Sequence, residues 1–323
     1  MATYKEIFGT NIEVVSSDPS NPVEGQIWYN TSTNKVKGFI ISTGSWATVN
    51  SLNTARATLA GSGVTQTAAL AFGGNLDPGN TAATENWNGS SWTEVNNLNT
   101  ARQGLIGAGT NTAALAFTGT PPGPASALNE SWNGSNWTEV GDLNTAREAA
   151  AGAGINNTAA LCFGGQSTVA LTELWNGSNW TEVNDLQQGR GYLGGTGTST
   201  AAITCGGSVP TYSALTEIWN GTNWTEVNNL NTGKRRQAMS GTSTSALSMG
   251  GDVGNPARPT EVWNGTNWTE VSESNLPRNR AAGAGANNTS GLLFGGALAS
   301  TGNITASTEE FSSGPATVTF GTS

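Results

Sequence analysis

Thr172-Glu-Leu-Trp-Asn-Gly-Ser-Asn-Trp-Thr-Glu-Val-Asn-Asp-Leu186 decides how this chain is read, because close copies of it recur at 84–98, 129–143, 216–230 and 260–271. The first tryptophan of each copy stands at 87, 132, 175, 219 and 263, a period near 44 residues. A unit of that length, rich in Thr, Val and Gly and without a heptad, fits one four-stranded propeller blade better than a helical repeat. Inside the copy, Asn176-Gly177 supplies the positive φ angles of a tight hairpin turn. The third and fourth strands of each unit are therefore expected to pair across Trp-Asn-Gly-Ser/Thr-Asn/Ser-Trp.

The other half of the unit opens on an arginine, at 56, 102, 147, 190, 236 and 280, with glycine five residues later at Gly61, Gly107, Gly152, Gly195, Gly241 and Gly285. The Arg-to-Gly segment reads as a first strand whose small residues suit a crowded centre where backbones approach closely. A second strand ends in Gly-Gly, as in Ala68-Ala-Leu-Ala-Phe-Gly-Gly74. Six such halves predict six blades. At the ends, Gly44-Ser-Trp46 begins a unit without its own first strands, and Arg280, Gly295-Gly296 and Thr308-Glu-Glu-Phe311 begin one whose last strand is degenerate. Completing the last blade with the Trp46 strand would remove both sheet edges. Thr317-Val-Thr-Phe320 competes for the same place, and the sequence leaves that choice open. The expected domains are 1–43, a linker and hairpin built around Ser16–Pro22 and Gln26–Phe39, and 44–323, the propeller.

Composition narrows the chemistry. Only 11% of the 323 residues are charged, against about 25% in an ordinary domain, and Thr, Ser, Asn and Gly fill the deficit. There is no histidine, which removes Ser-His-Asp triads, Cys-His dyads and His-ligated zinc or copper. A net charge of −9 disfavours nucleic acid as a partner. No apolar run is long enough for a secretion signal or a membrane span, so neither export nor membrane insertion is expected. The two cysteines, Cys162 and Cys205, sit two residues and one residue before their Gly-Gly pairs. Period-2 alternation points them to opposite faces, and free thiols are expected.

The order Arg, Gly-Gly, aromatic, Trp over residues 45–311 resembles the kelch repeat, as in Gly164-Gly165, Trp175 and Trp180. Thr118-Gly119 departs from the glycine pair, and the aromatic-to-Trp gap is five. The resemblance implies an all-β fold, a six-bladed kelch-like β-propeller with a short N-terminal extension. Pro22-Val-Glu-Gly-Gln-Ile-Trp-Tyr-Asn-Thr-Ser-Thr-Asn-Lys-Val-Lys-Gly-Phe39 is similar to a short element of bacteriophage tail and virion proteins. Together with the Asn/Thr/Trp-rich units, it resembles kelch-like structural proteins of marine phages. That resemblance implies a virion component, a tail fibre or host-binding adhesin, with a decoration protein as the alternative. Residues 1–43 would then contact other virion proteins, and the host surface, as glycan or protein, would be the ligand. A second copy of the chain is a further candidate partner.

Each repeated signal has a plain structural reading beside a functional one. The paired tryptophans could stack sugars, yet their fixed places suit packing between blades. The repeated Glu85, Glu130, Glu173, Glu217, Glu261 and Glu309 and the six arginines could be acid and electrophile. Six equivalent copies argue instead for blade-to-blade ion pairs or backbone hydrogen bonds. An enzyme needs a singular cluster of titratable groups, and no cofactor, metal or catalytic residue is expected. A glycosidase with paired carboxylates, drawn from Asp77, Asp252 and the repeated Glu, is the enzymatic alternative. The variable parts are the loops between second and third strands, six to eleven residues long, whereas the opposite turns stay Asn-Gly. Divergence on one rim of a rigid scaffold marks that face for binding. Its large or charged members, Tyr212, Arg258, Asp77 and Asp252, are the candidate ligand contacts.

Overall fold

A computed structural model describes residues 12–20, 26–41, 43–253 and 259–320, and every regular element among them is a β-strand. The chain divides into two compact units, Met1–Gly44 with Ser313–Ser323, and Ser45–Ser312. In the smaller unit Ile27–Asn30 and Lys35–Ile41 form an antiparallel hairpin. Glu13–Val15 runs parallel to its first strand, and Pro315–Thr319 antiparallel to its second. Asp18 ties this unit together. Its carboxylate accepts hydrogen bonds from the Trp28 indole at 3.0 Å, the Asn30 amide at 2.7 Å and the Lys37 ammonium at 2.7 Å. These bonds, that of Lys37 first, lower its pKa to about 2.

The larger unit contains six four-stranded antiparallel sheets among the described residues, a propeller-like architecture. The third sheet shows the pattern: Ala151–Ala153, Ala160–Phe163, Thr172–Trp175 and Trp180–Val183, with Trp175 opposite Trp180 across the turn. Asn176 makes that turn by accepting the amides of Ser178 and Asn179 on its side-chain oxygen, both at 2.9 Å, while Gly177 adopts a φ of +95° that a side chain would resist. The first strand begins a few residues after the arginine and does not include it. The sixth sheet draws on both ends of the unit. Ala282–Asn287, Ser290–Phe294 and Thr308–Ser312 are joined by Ser45–Val49, with Trp46 opposite Phe311. Pro315–Thr319, the rival for that position, pairs in the smaller unit.

Each sheet packs its neighbours through one apolar cluster. Between the first and second sheets, Leu70 and Phe72 meet Leu105, Ala116, Trp132 and Trp137, all buried. The sixth sheet meets the first in the same way, Leu292 and Phe294 lying against Trp87 and Trp92. A phenylalanine from one sheet tilts onto the fourth-strand tryptophan of the next, with ring centroids 4.8–5.1 Å apart, in Phe72–Trp137, Phe117–Trp180, Phe163–Trp224 and Phe294–Trp92. Burying each such ring contributes about 1.5–3 kcal/mol before entropy is counted. Cys205 takes the phenylalanine place in the fourth sheet. Cys162 takes a small-residue place on the opposite face of the third, so the two free thiols are buried in different clusters. Burial pushes each thiol pKa up to about 11.

Small residues are required where the first strands converge. A Cβ on Gly107 would collide with the Gly61 carbonyl oxygen of the preceding sheet. The indole of the fourth-strand tryptophan reaches back to a threonine on the preceding sheet, as in Trp137 to Thr84 at 3.1 Å and Trp224 to Thr172 at 3.0 Å. Asn129 stands in the threonine place facing Trp180, and there the indole nitrogen and the Asn129 side-chain oxygen are both buried without a partner.

Candidate functional site

The repeated cation and the third-strand glutamate are consumed inside the sheets, whereas the fourth-strand glutamate, Glu94 and its equivalents, is exposed. Arg56 Nη1 meets Glu85 Oε1 at 2.7 Å, and Arg102–Glu130, Arg147–Glu173 and Arg190–Glu217 follow at 2.7, 2.8 and 3.0 Å, every side chain nearly or fully buried. Both partners belong to one unit, with the glutamate on the third strand and the arginine just ahead of the first, so the pairs lie within sheets and not between blades. Each of these four glutamates also accepts a loop amide three residues before the cation, such as Asn53 to Glu85 at 2.7 Å and Asn99 to Glu130 at 2.7 Å.

The fifth and sixth sheets correct the sequence register. Lys234, 3.2 Å from Glu261, and Arg278, 3.1 Å from Glu309, hold the buried position, not Arg236 and Arg280. The glycine-five-later rule fails in the fifth unit because Met239 occupies the glycine place after Lys234 while Gly241 follows Arg236, and it cannot discriminate in the sixth, where Gly283 follows Arg278 and Gly285 follows Arg280 at the same interval. Burial lowers the pKa of Arg56, Arg102, Arg190 and Lys234, and the partner glutamate opposes the shift. Arg278 falls to about 10, burial again leading over Glu309. It is the least supported of the six: Arg278 Nη2 donates to the Leu293 carbonyl at 2.9 Å, and neither Glu309 oxygen has a hydrogen bond.

Two residues after each buried cation the backbone turns left-handed. The residues are Thr58, Gly104, Ala149, Tyr192, Arg236 and Arg280, with φ between +51° and +62°. A continuous chain of amide-to-carbonyl bonds links them. Tyr192 donates to Ala149 at 2.7 Å, Arg236 to Tyr192 at 2.8 Å, Arg280 to Arg236 at 3.1 Å, Thr58 to Arg280 at 2.8 Å and Gly104 to Thr58 at 2.9 Å. All six line the mouth of a cavity of about 470 Å³, beside a narrower space of about 220 Å³ walled by the small residues of the first strands. Only one of the six is glycine, so five side chains are held in a conformation that costs non-glycine residues energy. The mouth is lopsided: Thr58, Gly104 and Ala149 are small, whereas Tyr192, Arg236 and Arg280 are large.

Around the large half, Arg236 stacks 4.4 Å from the Tyr192 ring centroid and reaches Asp252 at 3.2 Å. Arg235 lies over Tyr212 at 5.2 Å and 3.7 Å from the same carboxylate. The Asn279 amide also donates to Asp252. Around the small half, Asp77 and Asn75 from the first sheet's long loop, Gln103 and Glu148 line the cavity, and Thr120 donates its hydroxyl to Glu148.

The candidate contacts are thus divided. Arg235 brings Tyr212 and Asp252 together, Asp77 lines the other half of the mouth, and Arg258 lies outside the described residues. Tyr192, Arg235, Arg236, Arg280 and Glu148 were missed as site residues. The spacing Asn/Gln-x-x-Arg/Lys, read at Asn53–Arg56 through Asn231–Lys234 and Asn275–Arg278, carries the true register and would have released Arg236 and Arg280 from the interior. The paired tryptophans are buried and offer no ring face to a sugar. Among the described residues no three His, Cys, Asp or Glu side chains converge as metal ligands do. The chain matches no family model and no curated protein with which it was compared.

Proposed function

We propose that the six sheets are the blades of one closed, kelch-like propeller, and that the protein is a non-enzymatic binding module that attaches to a host surface through the mouth face. The packing of the sixth sheet on the first supports the closed ring. One observation carries the binding reading. The tryptophans and the cation–glutamate pairs that repeat around the units are spent in the interior, and the other repeated glutamate, Glu94 and its equivalents, is exposed on the fourth strands, while the one-off charged and aromatic side chains Tyr192, Tyr212, Arg236, Arg280, Asp77 and Asp252 gather on the face bearing the variable loops. A scaffold with a variable rim suits recognition, and its equivalent, buried carboxylates do not suit paired acid-base catalysis.

The phage-virion reading, as tail fibre or adhesin, rests on the likeness of the Pro22–Phe39 block, and it assigns contacts with other virion proteins to the N-terminal segment. Immunogold labelling of intact particles tests the location. For attachment, labelled full-length chain should saturate cells of the susceptible bacterium, and the double variant Asp77→Ala/Tyr212→Ala should bind roughly tenfold more weakly, a loss of about 1.4 kcal/mol. Absence of saturable binding, or full binding by the variant, refutes attachment through this face.

A further inference from the structure

We infer that the mouth takes a carboxylated saccharide whose carboxylate is anchored by the guanidinium of Arg280. This names the ligand class of the host-surface reading above and rests on it. Among the described arginines, Arg56, Arg102, Arg147, Arg190 and Arg278 face buried glutamates, and Arg235 and Arg236 share Asp252. Arg280 alone has a guanidinium with no hydrogen bond or ion pair to a described residue, and it is exposed at the cavity. A planar guanidinium with five donors matches a carboxylate in a two-point contact.

The backbone under this side chain is set for the task. Its φ is +55°, its amide is bound by Arg236 and its carbonyl by Thr58. Gly104 fills the equivalent position in the second unit, so the fold itself accepts glycine there. Arginine at a strained position, with fixed backbone bonds and a free head group, is the pattern expected where strain is kept for binding.

The opposite half of the mouth selects the rest of the ligand. Asp77 and Glu148 accept hydroxyl hydrogen bonds but repel a second carboxylate, and Gln103 and Asn75 add neutral partners. A sugar acid offers one carboxylate and several hydroxyls, whereas an acidic peptide brings charge into the acidic half. Ile304 and Ile106 supply apolar surface for the C–H face of a pyranose. A volume of about 470 Å³ lies within the roughly 300–1,000 Å³ of small-ligand sites.

The test is calorimetric titration of the full-length chain at low salt with trigalacturonate and 3′-sialyllactose, against neutral lactose, a sulfated oligosaccharide and triglutamate. At least one carboxylated saccharide should bind more tightly than all three controls. Arg280→Gly should weaken it about 10- to 100-fold, as loss of a charge-assisted pair does, while melting at or above the wild-type temperature. Thr93→Ala, on the exposed fourth strand of the first sheet and away from the mouth, should leave affinity unchanged. Failure of both carboxylated probes, equal binding of lactose, tighter binding of the sulfated sugar or triglutamate, or retained affinity in Arg280→Gly overturns the inference. If both probes fail while the labelled chain still saturates host cells, the attachment reading stands and this ligand assignment falls. Saccharide binding without host-cell binding sustains the ligand assignment and removes attachment.

Discussion

Arg278 and Arg280 stand two residues apart, carry the same side chain and live in opposite environments. Arg278 is fully buried beside Glu309 and Leu293, and Arg280 is exposed on left-handed backbone at the cavity mouth. The first position exists in all six units as a cation, because a buried glutamate needs one. The second varies from Gly104 and Ala149 to Tyr192 and Arg236, because only its backbone is demanded by the fold. The interior position therefore serves stability and the mouth position is open to specialise.

The largest contrast should appear on truncation at the two kinds of site. Arg102→Ala leaves the Glu130 carboxylate buried without its cation and should cost about 3–5 kcal/mol, whereas Arg280→Ala should change stability by less than about 0.5 kcal/mol. Urea titration of both variants measures this, and equal midpoints would erase the distinction. Within the interior, Glu85 accepts an amide from Asn53 and a hydrogen bond from Arg56, while Glu309 accepts none. Glu85→Gln should consequently cost about 1–2 kcal/mol more than Glu309→Gln, the worth of hydrogen bonds to a charged group. The same measurement with the order reversed would show that the sixth pair is as well made as the first.

Asn129→Thr sharpens the comparison in the stabilising direction. It should return a hydroxyl acceptor to Trp180, as Thr84 serves Trp137, and raise stability by about 1 kcal/mol. An unchanged or lower midpoint would mean that the orphaned indole finds water. The smallest effect concerns the exposed pair in the other unit. Asp18 has a folded pKa of about 2 against an ordinary 3.8, so its contribution is present above pH 4 and is lost as pH falls toward 2. Following the Trp28 indole proton by NMR should show that bond released across this window, ahead of any change in the indoles of the larger unit. Simultaneous loss would tie the two units into one acid transition.

Much of the architecture was legible because it is repeated. Five copies of one segment act as internal comparisons, so strand order, the Asn-Gly turns and the buried role of the tryptophans follow from period, alternation and turn chemistry. The register of the cations was less legible, since the glycine spacing points to Arg236 in the fifth unit, where the true cation is Lys234, and fits both Arg278 and Arg280 in the sixth, where the true cation is Arg278. The Asn/Gln-x-x-Arg/Lys spacing carries the correct register, but its meaning becomes plain only once the loop amide and the cation are seen on one glutamate.

The sequence by itself determined the all-β class, the repeat length and the residues available for chemistry, since these depend on local propensity and on side-chain inventory. It also placed the variable loops on one rim. The tertiary structure alone decided that Ser45–Val49, and not Pro315–Thr319, pairs with Thr308–Ser312, that the ion pairs lie within sheets, and that Tyr192, Arg236 and Arg280 converge on one mouth. The first of those outcomes joins opposite ends of the unit, setting Trp46 against Phe311 and Ser45 against Ser312. Such pairings are selected by which partner buries the most apolar surface and satisfies the most backbone groups, a competition that no local window of sequence contains.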